Sequence, residues 1–76
     1  MISNPDVAKP VSDLMIDICR KIEDSIRLVH QECSAEESKV YRLAAARIIA
    51  EVYLDVMTPL YRVHPSLRPE GMNDVR

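Results

Sequence analysis

The stretch that decides the fold is SAEESKVYRLAAARIIAEVYLDVM, residues 34–57. Ser34 is a favoured helix N-cap, and Glu37 stands three residues on, the spacing of a capping box. Glu36 and Glu37 set negative charge at the positive end of the helix dipole. No Gly or Pro interrupts the run, and Ala44, Ala45, Ala46 and Ala50 carry the highest helix propensity of any residue type. Pro59 disfavours helical geometry at Thr58. One long helix is therefore expected from Ser34 to about Met57, with Thr58-Pro59 capping a further short turn through Leu60, Tyr61 and Arg62.

At about 100° per residue the apolar side chains of this helix fall into two stripes. One is Leu43, Ala46, Ala50, Leu54 and Met57; the other is Tyr41, Ala45, Ile48, Val52 and Val56. They stand roughly 150° apart, with Ile49 and Tyr53 between them. A helix apolar nearly all round is a buried one. Tyr41, Ile48, Val52 and Val56 together are worth about 6–12 kcal/mol when buried, an upper bound that rivals the stability of a whole domain. Some surface must cover the second stripe. Tyr41, Ala45, Ile48, Val52 and Val56 are thus the expected oligomer or partner interface.

The polar strip of the same helix is narrow: Arg47, Glu51 and Asp55, four residues apart. Facing solvent, it is the wet side. Facing a symmetry mate, Arg47 would pair with Glu51 or Asp55 of the other copy and fix register.

Outward from this helix, Val11 to about Gln31 reads as an ordinary amphipathic helix. Val11, Met15, Ile18, Ile22 and Val29 step by threes and fours, with Ser25 in the one polar place. Asp13, Asp17, Arg20, Asp24 and Arg27 line the opposite face, where Arg20–Asp24 and Glu23–Arg27 are spaced as favourable pairs. Asn4-Pro5-Asp6 can cap and start a helix, but Pro10 would kink it, so the helix is expected to begin near Pro10. The link from Glu32 to Ser34 is short, which makes the two long helices antiparallel neighbours. The expectation is an all-α protein: an αα-hairpin over residues 10–62 that dimerises into a four-helix bundle, with an N-terminal tail at 1–9 and an irregular Pro-containing tail at 63–76. In that second tail Val63, Leu67, Met72 and Val75 are the large apolar anchors.

Composition narrows the function. The chain has 76 residues, 47% of them hydrophobic, with a net charge of −2. That is enough apolar material for one small domain and too much for a disordered chain. The sequence shows no basic run, so direct nucleic-acid binding is not expected. It has no stretch long enough for a membrane span and no secretion signal, which points to the cytoplasm. Cys19 and Cys33 are fourteen residues apart, about 21 Å along one straight helix and far beyond disulfide reach. Both are read as buried free thiols.

Chemistry is sparse. The single Gly is Gly71, so neither a nucleophile elbow nor a phosphate loop can be written. His30 and Cys33 share a face at i,i+3, and doubled by a two-fold axis they would make a Cys₂His₂ set, but no CxxC supports it. No catalytic, cofactor-binding or metal-ligating residue is expected. The reading is a small non-enzymatic regulatory protein that acts through homo-oligomerisation, as a homodimer, and through binding a further protein partner.

The run Glu32-Cys33-Ser34, then Glu37, Val40, Ala44-Ala45 and Ala50-Glu51, followed by Leu60-Tyr61 and Pro65-Ser66, resembles the haemolysin-expression-modulating (Hha-like) family over about half of the chain. The family's N-terminal basic stretch is absent, and Ala46 stands where an acidic residue would be expected. The resemblance implies a small helical modulator of transcription that acts through a nucleoid-associated protein. It carries over no site residues.

Overall fold

The computed structural model describes residues 1–71. Among them every regular element is helical. Helix α1 spans Pro5–Glu32 and α2 spans Ala35–Glu51. A π-helical segment, Val52–Met57, continues α2 into α3, Thr58–Val63, and a 3₁₀ turn follows at Pro65–Leu67. The molecule is thus two antiparallel rods, α1 against the continuous run 35–63. Its long dimension of 45 Å is about the length of α1.

Helix α1 begins at Pro5, five residues before the expected start. Asn4 Oδ1 accepts the Asp6 N–H at 2.9 Å, and Pro5 stands at N1, where its missing N–H costs nothing. Pro10 then lies inside the helix, a position that costs about 3 kcal/mol. Two things offset it. Ala8 is fully buried in the core, and Ile2 packs against the same cluster. The Ile2 carbonyl also accepts a 2.8 Å hydrogen bond from His64 Nε2. The amino-terminal turn is held by tertiary contacts that propensity does not report.

The hairpin turn is two residues, Cys33 and Ser34. Cys33 N–H closes on the Val29 carbonyl at 2.9 Å. The expected capping box is formed: Ser34 Oγ accepts the Glu37 N–H at 3.1 Å, and Glu37 Oε1 accepts the Ser34 N–H at 3.4 Å.

At the other end of α2 the helix does not stop at Pro59. Thr58 keeps right-handed helical geometry, φ −61° and ψ −50°. A regular α-turn would drive the Pro59 ring into the Asp55 carbonyl. The π segment widens the helix there, and Thr58 N–H donates to Tyr53 O, five residues back. The wider turn also shifts the helical phase. Counted at about 100° per residue, Met57 and Tyr61 would turn well away from Ala45. The extra residue in the turn returns them, and Met57, Leu60 and Tyr61 are all buried.

The core sits at this end, where the start of α1, the π segment, α3 and the 3₁₀ turn converge. Ala8, Cys19, Met57, Leu60 and Tyr61 are its buried members, with Val11, Met15, Ile16, Ile49, Val52, Tyr53 and Leu67 packed around them. Residues 63–67 were expected to be irregular. They are a helix end and a 3₁₀ turn, laid back so that Leu67 meets the core. Met72 and Val75 lie outside the described residues.

Three serines link the rods. Ser12 and Tyr61 share a buried hydroxyl–hydroxyl bond of 2.6 Å. Ser25 Oγ donates to Ile22 O and accepts from Tyr41 Oη, each at 2.6 Å. Ser38 Oγ and His30 Nδ1 are 3.4 Å apart. The small residues Ala8, Ser12, Ser38 and Ala45 are all buried along the seam, which allows the two rods to approach closely. The outer ion pairs are Lys9–Asp13, Lys21–Asp17 and Arg27–Asp24, in place of the expected Arg20–Asp24 and Glu23–Arg27. All three are exposed, and each contributes only tenths of a kcal/mol.

Candidate functional site

The two stripes of α2 are not used as wholes. Of the second, Ala45 is buried in the seam and Val52 packs against the core. Val56 is half-buried, Tyr41 is tied to Ser25, and Ile48 is 52% exposed. Of the first, Met57 enters the core, while Leu43, Ala46, Ala50 and Leu54 stay exposed. Arg47, Glu51 and Asp55 are exposed and make no ion pair among the described residues.

A hairpin of two rods has two broad faces, and here they differ. One face is lined at the hairpin turn by Val29, Cys33, Glu36, Glu37, Val40, Tyr41 and Ala44, around an open groove of about 630 Å³. Helical spacing extends it along the molecule. Ile18 and Ile22 lie on the same side of α1 as Val29, and Ile48 lies seven residues beyond Tyr41 on α2. Ile18, Ile22 and Val29 are half-buried, and Val40 is 70% exposed. Leu14 and Leu28 widen this face at the edge of α1, exposed by 52% and 58%. The result is a surface drawn from both helices on which carboxylates alternate with apolar side chains along α2: Glu36 and Glu37 line the groove itself, and by the same seven-residue spacing Glu51 follows Ala44 and Asp55 follows Ile48.

The opposite face is covered at one end. Pro69, Glu70 and Gly71 lie across a cleft of about 260 Å³ whose walls include Ile16, Cys19, Arg20, Glu23, Tyr53 and Met57. Gly71 takes φ +85° there, in the left-handed region that favours glycine. Burial raises the Cys19 thiol pKa, and the Glu23 carboxylate raises it further. Tyr53 is raised for the same first reason, then by Cys19, Glu23 and Tyr61. Both groups are held in their neutral forms, and a neutral thiol is a poor nucleophile and a poor metal ligand. Toward the hairpin turn the same face holds a second cleft, lined by Ile26, Arg27, His30, Gln31, Ser38 and Arg42.

The two cysteines therefore differ. Cys19 is buried as expected. Cys33 is exposed, because it is the C-cap of α1 and stands outside the helical seam. His30 and Cys33 do not converge: His30 lines the donor-rich cleft and Cys33 the apolar groove. Among the described residues no group of three or more His, Cys, Asp or Glu side chains is gathered to hold a metal ion. No described helix is long and apolar enough to cross a membrane.

No protein-family model, curated protein or solved structure matches the chain.

Proposed function

We propose that the protein is a small interaction protein that assembles through its open apolar face, first with a second copy of itself. The observation that carries this reading is the open groove lined by Val29, Val40, Tyr41 and Ala44, with Ile18, Ile22 and Ile48 following on the same sides of their helices by spacing. Large apolar side chains gathered on one side of a monomer are characteristic of interfaces. The size also suits a dimer. A face 45 Å long and two helices wide presents on the order of 800 Å² per partner, that of a standard specific interface. Two hairpins joined on these faces make a four-helix bundle.

The test is solution mass by light scattering after size exclusion, across a dilution series. The expected mass is twice the 8.7 kDa of one chain, falling toward the monomer on dilution and in the variant Ile48→Glu. A monomer at every concentration overturns self-association. The open face then serves a different protein, and the chain used as bait would recover it. A nucleoid-associated protein, the partner implied by the Hha-like resemblance, is one specific outcome of that experiment.

A further inference from the structure

A cleft of about 420 Å³ lies between α1 and α2 beside the hairpin turn, on the face opposite the apolar surface. Its lining is Ile26, Arg27, His30, Gln31, Ser38 and Arg42. Five of these six are hydrogen-bond donors, and none is acidic. The chain as a whole has more acidic than basic residues, 12 against 10, so average composition does not account for this clustering. Arg27, His30 and Gln31 come from one turn of α1. Ser38 and Arg42 come from one turn of α2. The antiparallel hairpin alone brings them together.

The charges in the cleft are only partly satisfied from within. Asp24 holds one nitrogen of the Arg27 guanidinium from outside the lining set. Arg42 makes no ion pair among the described residues. Ser38 is buried, and its hydroxyl lies 3.4 Å from His30 Nδ1 across the seam. Ile26 supplies an apolar wall.

We propose that this cleft binds a phosphoryl group. Two arginines on different helices share one lining with an imidazole, an amide and a hydroxyl, a donor set that can reach an anion from several directions. That suits a tetrahedral group with several oxygens better than a planar carboxylate, which one bidentate arginine satisfies. The volume admits more than the phosphate itself, so a small phosphate ester is the ligand class. The assignment is independent of the assembly face.

The experiment is an amide NMR titration of the full chain with inorganic phosphate, at constant ionic strength held with KCl, and a parallel titration with acetate. Saturable shifts confined to residues 26–31 and 38–42 are expected with phosphate. Arg42→Gln and Arg27→Gln should each weaken binding about tenfold to a hundredfold, the effect of losing a charge-assisted hydrogen bond. Arg47→Gln, on the same helix outside the cleft, should leave binding unchanged, and all three variants should keep the wild-type circular dichroism spectrum. Shifts that do not saturate, or that Arg47→Gln reduces as much as Arg42→Gln does, would mean diffuse charge screening and overturn the site. Tighter binding of acetate than phosphate would overturn the phosphoryl assignment.

Discussion

Thr58 is buried, and among the described residues its Oγ1 has no hydrogen-bond partner. A hydroxyl left in that state costs about 1–3 kcal/mol. Valine has the same shape without the polar atom, so Thr58→Val is expected to stabilise the fold by about 1 kcal/mol in thermal or urea unfolding. The opposite holds at Tyr61, whose hydroxyl is bonded to Ser12 in the core. Tyr61→Phe strands the buried Ser12 hydroxyl and should destabilise by about 1–2 kcal/mol in the same assay. The thiols give a third contrast. Cys33 is exposed and Cys19 buried, so a disulfide reagent at neutral pH should modify one thiol quickly and the other only on opening of the fold. The raised pKa values of Cys19 and Tyr53 also set a pH dependence. In the unfolded chain a thiol loses its proton from about pH 8.5 and a phenol from about pH 10. The folded state then holds more protons than the unfolded one, and stability falls as pH rises. Below about pH 8 this contribution is fully present. Cys19→Ala should flatten the first part of the decline in a series of melts taken from pH 7 to 10.

At the scale of elements, what could be read from sequence depended on distance along the chain. Ser34 and Glu37 are three residues apart, and the capping box they announced is present. Ser34→Ala should therefore cost about 1 kcal/mol. The hairpin itself followed from a two-residue turn between two periodic segments. The starting point of α1 did not, because Ile2 is held by His64, 62 positions away, and Ala8 is buried in a cluster with Met57, Leu60 and Tyr61 from the far end of the hairpin. Nor did the inward set of α3, since a constant 100° step holds only while each turn is α-helical. One π turn between Val52 and Met57 breaks that assumption and brings Met57, Leu60 and Tyr61 to the core. The same segment can be tested directly. A π turn holds about one residue more than the α-turn it replaces. Deleting exposed Asp55 from it should leave the later residues in phase, with the Pro59 ring as the main cost. Deleting exposed Ala46 from regular α2 should rotate everything beyond by about 100° and cost well over 3 kcal/mol, the order of losing a large core side chain. Equal melting temperatures for the two deletions would mean that the π turn does not set the phase.

At the scale of the molecule, the lack of thickness is the main fact. The buried cluster is concentrated where α3 and the 3₁₀ turn return over α1, while the half nearer the hairpin turn buries only small side chains such as Ser38 and Ala45. Sequence periodicity indicated that α2 carried more apolar surface than one neighbour could cover. It could not say which side would remain open, because that depends on the path of residues 64–71. Of these residues, Pro69, Glu70 and Gly71 lie against the face that holds Cys19 and Tyr53, and no described residue covers exposed Val40 and Ile48 on the other face. The donor-rich cleft was equally hidden, as Arg27 and Arg42 are fifteen positions apart and line one cleft only once the hairpin closes. If the thin half is completed by a second copy, stability must depend on protein concentration, since dimerisation stabilises by mass action. The melting temperature should rise with concentration in the wild type and stay constant in Ile48→Glu. That variant should match the wild type at high dilution, because Ile48 is exposed in the single chain and its loss leaves the buried cluster intact. An Ile48→Glu protein that melts lower at every dilution would instead make Ile48 part of the monomer's own core. A concentration-independent wild type would mean that one hairpin is stable without a second.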